Sequence, residues 1–80
     1  MAVKLTTQDR YRQTMTAEVQ CVEVCEGGSG SVIGYAVFFS GGWDAWVMRN
    51  RRRHRLFRKA ASLTREEAIE AIKRTWREQQ

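Results

Sequence analysis

The stretch Val32-Ile33-Gly34-Tyr35-Ala36-Val37-Phe38-Phe39 is almost wholly apolar and stands between two glycine-rich breaks, Gly27-Gly28-Ser29-Gly30 and Ser40-Gly41-Gly42. Eight residues rich in β-branched and aromatic side chains, closed off by turn formers, predict a central strand. Both of its phases are apolar: Ile33, Tyr35, Val37 and Phe39 on one side, Val32, Ala36 and Phe38 on the other. Such a strand needs cover on two faces. In a chain of 80 residues that cover must come from a few elements or from a partner, because so short a chain buries a modest fraction of its surface.

The flanking segments supply the rest of a sheet. Met15, Ala17, Val19 and Cys21 alternate with Thr14, Thr16, Glu18 and Gln20, which predicts a half-buried strand starting at Gln13. The phase then slips, since Val22 and Val24 are apolar while Glu23 falls on the buried side; a bulge near Cys21 to Glu23, or an early end to the strand, reconciles this. Trp43 to Arg49 reads as a further strand. Asn50 to Arg53 can turn, and His54 to Lys59 can form a fourth strand around Leu56 and Phe57, although no glycine marks that turn. Residues 1 to 12 show no sustained period and read as a mobile lead-in.

One helix closes the chain. In Leu63-Thr64-Arg65-Glu66-Glu67 the Thr64 hydroxyl and the Glu67 carboxylate are spaced for a capping box, with Leu63 and Ala68 placed as a hydrophobic staple. Glu66 and Glu67 fall early and Lys73, Arg74 and Arg77 late, as the helix dipole favours. Ala68, Ile69, Ile72 and Trp76 make a single apolar stripe. A helix with one stripe covers one sheet face. The expectation is an α+β fold: an antiparallel meander of three to four strands over one domain, 13 to 80, followed by a C-terminal helix packed on one face.

Charge is distributed unevenly. Met1 to Met48 carries a net −2 and Glu66 to Gln80 a net −1, whereas Arg49 to Arg65 holds eight basic residues and no acidic one, within a total of +5. A chain that is near neutral apart from one basic stretch points to an anionic partner at a defined place. Arg49, Arg51, Arg52, Arg53, Arg55, Arg58 and Lys59 are the candidate contacts, with His54 among them. Guanidinium forks match phosphate oxygens in two-point contacts and stack on bases. On a strand–turn–strand they would form a basic ribbon. The alternative role is a solvated edge guarded by charge.

A single helix leaves aromatic surface over. Trp43 and Trp46 beside the arginines could stack on bases, and Tyr35, Phe38 and Phe39 could serve a partner interface or a homodimer built on the open sheet face. For most of these rings a place in the core is the first expectation, a dimer or partner interface the second and base stacking the last. Nothing assembles nucleophile, base and charge stabiliser together, so an enzyme, a small-molecule substrate and a cofactor are not expected. Asp44 reads as a turn cap. Glu18, Glu23 and Glu26 share one strand without an acidic motif, and one histidine with Cys21 and Cys25 does not make a zinc set, so no metal is expected. Four residues along a strand separate the two cysteines by roughly 13 Å, too far for a disulfide. Free thiols, with no signal-like or membrane-spanning apolar run, place the expectation in the cytoplasm.

The residues from Trp43 to Ile72 also carry a resemblance. Trp43-Asp44-Ala45-Trp46-Val47-Met48-Arg49, a basic turn, Arg55-Leu56-Phe57-Arg58-Lys59, and Ser62-Leu63-Thr64-Arg65-Glu66-Glu67-Ala68 resemble the arm-type amino-terminal DNA-binding domains of phage integrases and the related ethylene-response-factor domains of plants. The resemblance implies a three-stranded sheet in the DNA major groove with a helix behind it. It would turn Arg49, Arg53, Arg55 and Arg58 to DNA and set Trp43 or Trp46 against sugar or base. The extra strand from Gln13 to Cys25 departs from that pattern.

The function expected is therefore a small non-enzymatic nucleic-acid-binding protein, DNA ahead of RNA, of phage or mobile-element accessory or regulatory type. The alternative is a small phage-encoded protein inhibitor, anti-CRISPR-like, binding a host protein or nucleoprotein through an acidic surface. Arginine and tryptophan are favoured anchors for such docking.

Overall fold

The computed structural model describes residues 4–13, 18–39, 41–57 and 63–79. They form five strands and one helix: β1 (Leu5–Gln13), β2 (Glu18–Glu26), β3 (Val32–Phe39), β4 (Gly42–Arg49), β5 (Arg52–Arg55) and α1 (Arg65–Glu78). The strands pair antiparallel in sequence order, β1-β2-β3-β4-β5. The α+β meander with a C-terminal helix is as the sequence reading has it.

Three details correct that reading. Five strands form where three or four were expected, and the last of them is Arg52–Arg55 after a turn at Asn50 and Arg51, not His54 to Lys59, so that Leu56 and Phe57 lie past its end. The mobile lead-in expected at residues 1 to 12 gives way to a strand from Leu5 on, since Leu5–Gln13 pairs with β2 along its full length, from Leu5 opposite Glu26 to Gln13 opposite Glu18. As an edge strand, β1 has little apolar surface to bury, so Leu-Thr-Thr-Gln-Asp-Arg-Tyr-Arg-Gln shows no alternation. The phase slip in β2 is not a break at Cys21 to Glu23 either. β2 runs on to Glu26, and the irregularity lies on β3, where Val24 faces Gly34 and Cys25 faces Val32, leaving Ile33 as the extra residue. That bulge turns Ile33 away from the Tyr35 side and into the core. The expected strand pattern at residues 14 to 17 lies outside the described residues.

Strand alternation sorts the sheet into a covered and an open face. Under the helix lie Val22, Val24, Ile33, Ala36, Trp43, Ala45 and Val47. Ala68, Ile69 and Ile72 of α1 seal this face, with Leu5, Leu56, Phe57, Leu63 and Trp76 around the margin. Fully burying a side chain such as Ile72, Val22, Val24 or Val47 contributes about 1.5–3 kcal/mol. The helix lies mainly on β4 and β3 and reaches β2 at its edge.

Local chemistry fixes where α1 starts. The Thr64 hydroxyl accepts from the Glu67 amide at 3.1 Å, and the Glu67 carboxylate accepts from the Thr64 amide at 2.9 Å, which satisfies two donors that a helix start leaves open. Just before it, the Trp43 amide donates to the Leu63 carbonyl at 3.0 Å, tying the helix entry to β4. An Arg65–Asp9 ion pair at 2.9 Å ties the first turn to β1.

Gly34 is where helix and sheet come closest. A Cβ there would strike Cγ2 of Ile72 and lie 2.6 Å from the Trp46 carbonyl oxygen. Gly34→Ala should therefore destabilise the fold by about 1–3 kcal/mol, the range for overpacking a filled core. A lower urea midpoint at unchanged slope is the expected reading.

Candidate nucleic-acid interface

The basic segment is an ordered hairpin. β4 and β5 pair with Trp46 opposite Arg55, Val47 opposite His54, Met48 opposite Arg53 and Arg49 opposite Arg52. Asn50 and Arg51 alone make the turn, at φ 51° and 65°. Two successive left-handed residues form a type I′ connection, whose twist matches that of paired strands. Asparagine accepts this conformation readily. Arginine does so at a cost, since its Cβ crowds the following carbonyl.

Alternation divides the charges between two faces. Arg53 and Arg55 lie on the open face. The Arg53 guanidinium carbon stands 5.7 Å from the centre of the Tyr35 ring, within cation–π range. Arg55 Nε meets Asp44 Oδ2 at 2.6 Å, while Asp44 Oδ1 accepts from the Ala45 amide at 2.9 Å. Asp44 is thus the carboxylate that orients Arg55 from within β4, not the turn cap expected of it. Arg49, Arg52 and His54 fall on the opposite face. With the Gln79 amide oxygen turned toward it, Arg49 donates from Nη2 at 2.8 Å and from Nε at 3.2 Å, so the end of α1 braces the hairpin. Arg51 is at the tip. All four β5 residues are exposed. Arg58 and Lys59 lie outside the described residues.

The aromatic residues separate in a way the sequence did not show. Trp43 is 9% exposed, packs in the core and meets the Phe38 ring at 5.5 Å with a 57° tilt. It is withdrawn from any ligand, which corrects its assignment as a nucleic-acid contact. Trp46 is half-buried on the open face, directly opposite Tyr35. Phe38 is exposed but belongs to the covered side, so the interface expected of Tyr35 and Phe38 together does not form a single patch. The Phe39 side chain lies outside what the structure describes.

The open face continues across β3, β2 and β1. Val37, Cys21 and Cys25 lie on it with Glu23, whose carboxylate accepts from Arg10 Nε at 3.2 Å. Cys21 and Cys25 are buried and not joined in a disulfide. Burial pushes the Cys25 thiol up from its ordinary value, and the Glu23 charge adds to the rise while Arg10 offsets part of it. The Arg10–Glu23 pair escaped the sequence reading because β1 did. Asn50 was the signal for the tight turn, as a residue that tolerates positive φ. Among the described residues no group of His, Cys, Asp and Glu is arranged to hold a metal ion. No helix there is long and apolar enough to cross a membrane.

No protein-family model matches this chain, and no curated protein or solved structure matches it.

The turn strain has a measurable consequence. Arg51→Gly removes the Cβ clash at φ 65° and should stabilise the protein by about 1 kcal/mol. Differential scanning calorimetry should show a higher melting temperature despite the lost charge.

Proposed function

We propose that this protein is a non-enzymatic nucleic-acid-binding protein of accessory or regulatory kind, with duplex DNA as its partner and the β4–β5 hairpin as its contact. The observation that carries the reading is the hairpin itself: a two-residue turn at an exposed sheet edge, with Arg49 and Arg52 on one side, Arg53 on the other and Arg51 at the tip. Among the described residues, Arg55 is the arginine of this hairpin paired with a carboxylate.

A two-stranded ribbon fits the major groove. Arginines on both of its faces would meet the phosphates of both groove walls, and phosphate contacts of this kind set affinity and register. Arg53, within cation–π range of Tyr35, and Arg55, steered by Asp44, are pre-ordered, so little side-chain freedom remains to be lost on binding. Trp46 and Tyr35 lie beside them as apolar floor. The phage or mobile-element setting rests on the resemblance of residues 43 to 72 alone.

Titration of a fluorescent duplex across a salt series tests the reading. With four arginines on phosphate, log K should fall against log salt with a slope of about −3 to −4. Arg51→Ala with Arg52→Ala should flatten that slope by about 2 units while melting is unchanged. A slope near zero for the wild-type chain would remove the proposal.

A further inference from the structure

The two edges of the sheet differ. β5 has four residues, three of them arginine, and such charge guards an edge against pairing. β1 has nine residues and, among the described residues, is paired on one side only. Among the described residues its outer rim is a row of unpaired amides and carbonyls. The direction of that row follows from one bond. The Lys4 carbonyl accepts from the Gly27 amide at 2.7 Å, so even-numbered residues of β1 turn their backbone groups to β2. Odd-numbered ones, Leu5, Thr7, Asp9 and Tyr11, turn theirs outward.

We propose that β1 pairs antiparallel with β1 of a second copy of this chain, about a two-fold axis through Gln8, to make one continuous ten-stranded sheet. Side-chain identity selects that register. With Gln8 on the axis, Thr7 faces Asp9, Thr6 faces Arg10 and Leu5 faces Tyr11 of the other copy. Tyr11 is 65% exposed in the single chain, and Leu5 lies on the same side of the sheet, so the register gives this ring an apolar neighbour.

Other axes bring like charges together. An axis on Asp9 sets Asp9 against itself, one on Arg10 does the same for Arg10, one on Thr7 opposes Lys4 to Arg10, and one on Tyr11 opposes Arg10 to Arg12. The Gln8 register sets Lys4 opposite Arg12, one residue outside the Leu5–Tyr11 pair at the ends of the ribbon; the Thr7 axis has the same end-on repulsion and in addition sets Leu5 against Asp9 in place of Tyr11. The two charges in mid-strand are also occupied at home, Asp9 by Arg65 and Arg10 by Glu23. In the Gln8 register each of them faces a neutral threonine of the other copy, Asp9 facing Thr7 and Arg10 facing Thr6. The bonding pattern is consistent as well: Thr7 with Asp9 and Leu5 with Tyr11 would be the hydrogen-bonded pairs, and all four residues face outward.

The interface is isologous, closes on itself and does not depend on nucleic-acid binding. It would set the two arginine hairpins at opposite ends of the joint sheet, roughly 43 Å apart measured across its strands.

Sedimentation equilibrium on the nucleic-acid-free chain over a concentration series is the test. The wild type should dimerise. Thr7→Pro removes an outward donor that the single chain does not use, and should sediment as a monomer with an unchanged melting temperature. Cross-linking reads the register without relying on that variant. Gln8→Cys places two sulfur-bearing residues directly opposite, with Cα atoms about 4.5 Å apart, within disulfide range, and should give a covalent dimer on oxidation. Thr7→Cys, displaced from its own copy, should not. A monomeric wild type at every concentration, a dimeric Thr7→Pro, or equal cross-linking of the two cysteine variants would each overturn the proposal.

Discussion

The contact between Ile72 and the bare backbone of Gly34 governs the arrangement of this protein. With no Cβ at that position, α1 settles against β3 and β4 closely enough to bury Ala68, Ile69 and Ile72 together with Val22, Val24, Ala36, Ala45 and Val47. A chain of this size has one helix with which to cover a sheet, and this contact assigns it to one face. The other face is left to smaller and mixed residues: Cys21, Cys25, Val37, Tyr35, Trp46, and the ion pairs Arg10–Glu23 and Arg55–Asp44. The helix also runs from the Trp43 end of β4 to its Arg49 end, which is why Gln79 can reach Arg49 and support the hairpin.

Electrostatics on the open face follow a consistent plan. Among the described residues each carboxylate there, Glu23 and Asp44, has an arginine, and each such pair joins neighbouring strands. The pairs are partly exposed and individually modest, on the order of 1 kcal/mol or less. Their effect is directional, because they hold guanidinium groups in fixed positions. Arg49, Arg51, Arg52 and Arg53 have no carboxylate partner among the described residues, and they gather around a turn that takes two left-handed residues to build. Strain at a turn tip is tolerated where the surrounding pairing imposes it. Here the ladder from Trp46–Arg55 to Arg49–Arg52 does so.

Much of this was legible in the order of residues. The capping box at Thr64, the stripe of Ala68, Ile69, Ile72 and Trp76, the strand at Val32 to Phe39 and the basic segment could all be read, because each depends on neighbours a few positions apart. Periodicity and capping are local properties, and α1 begins where its own first turn says it must. β1 was not legible, since an edge strand with polar residues on both sides carries no alternation to detect. The bulge at Ile33 was placed on the wrong strand for a similar reason: a phase slip in β2 shows that something must give, and pairing alone reveals that β3 gives.

The fate of the aromatic and charged side chains depended on chain segments far apart in sequence. Trp43 and Trp46 are three residues apart and look alike in the sequence, yet one is sealed under α1 and the other lies on the open face beside Tyr35. Asp44 reads as a turn residue until β5 brings Arg55 against it. Arg49 reads as one more cation in a run until α1 returns Gln79 to it. Local spacing sets which backbone conformation a segment prefers. Which side of a sheet faces a helix, and which charge meets which, is set when distant segments pack, since burial and Coulomb attraction act between whatever the fold makes adjacent.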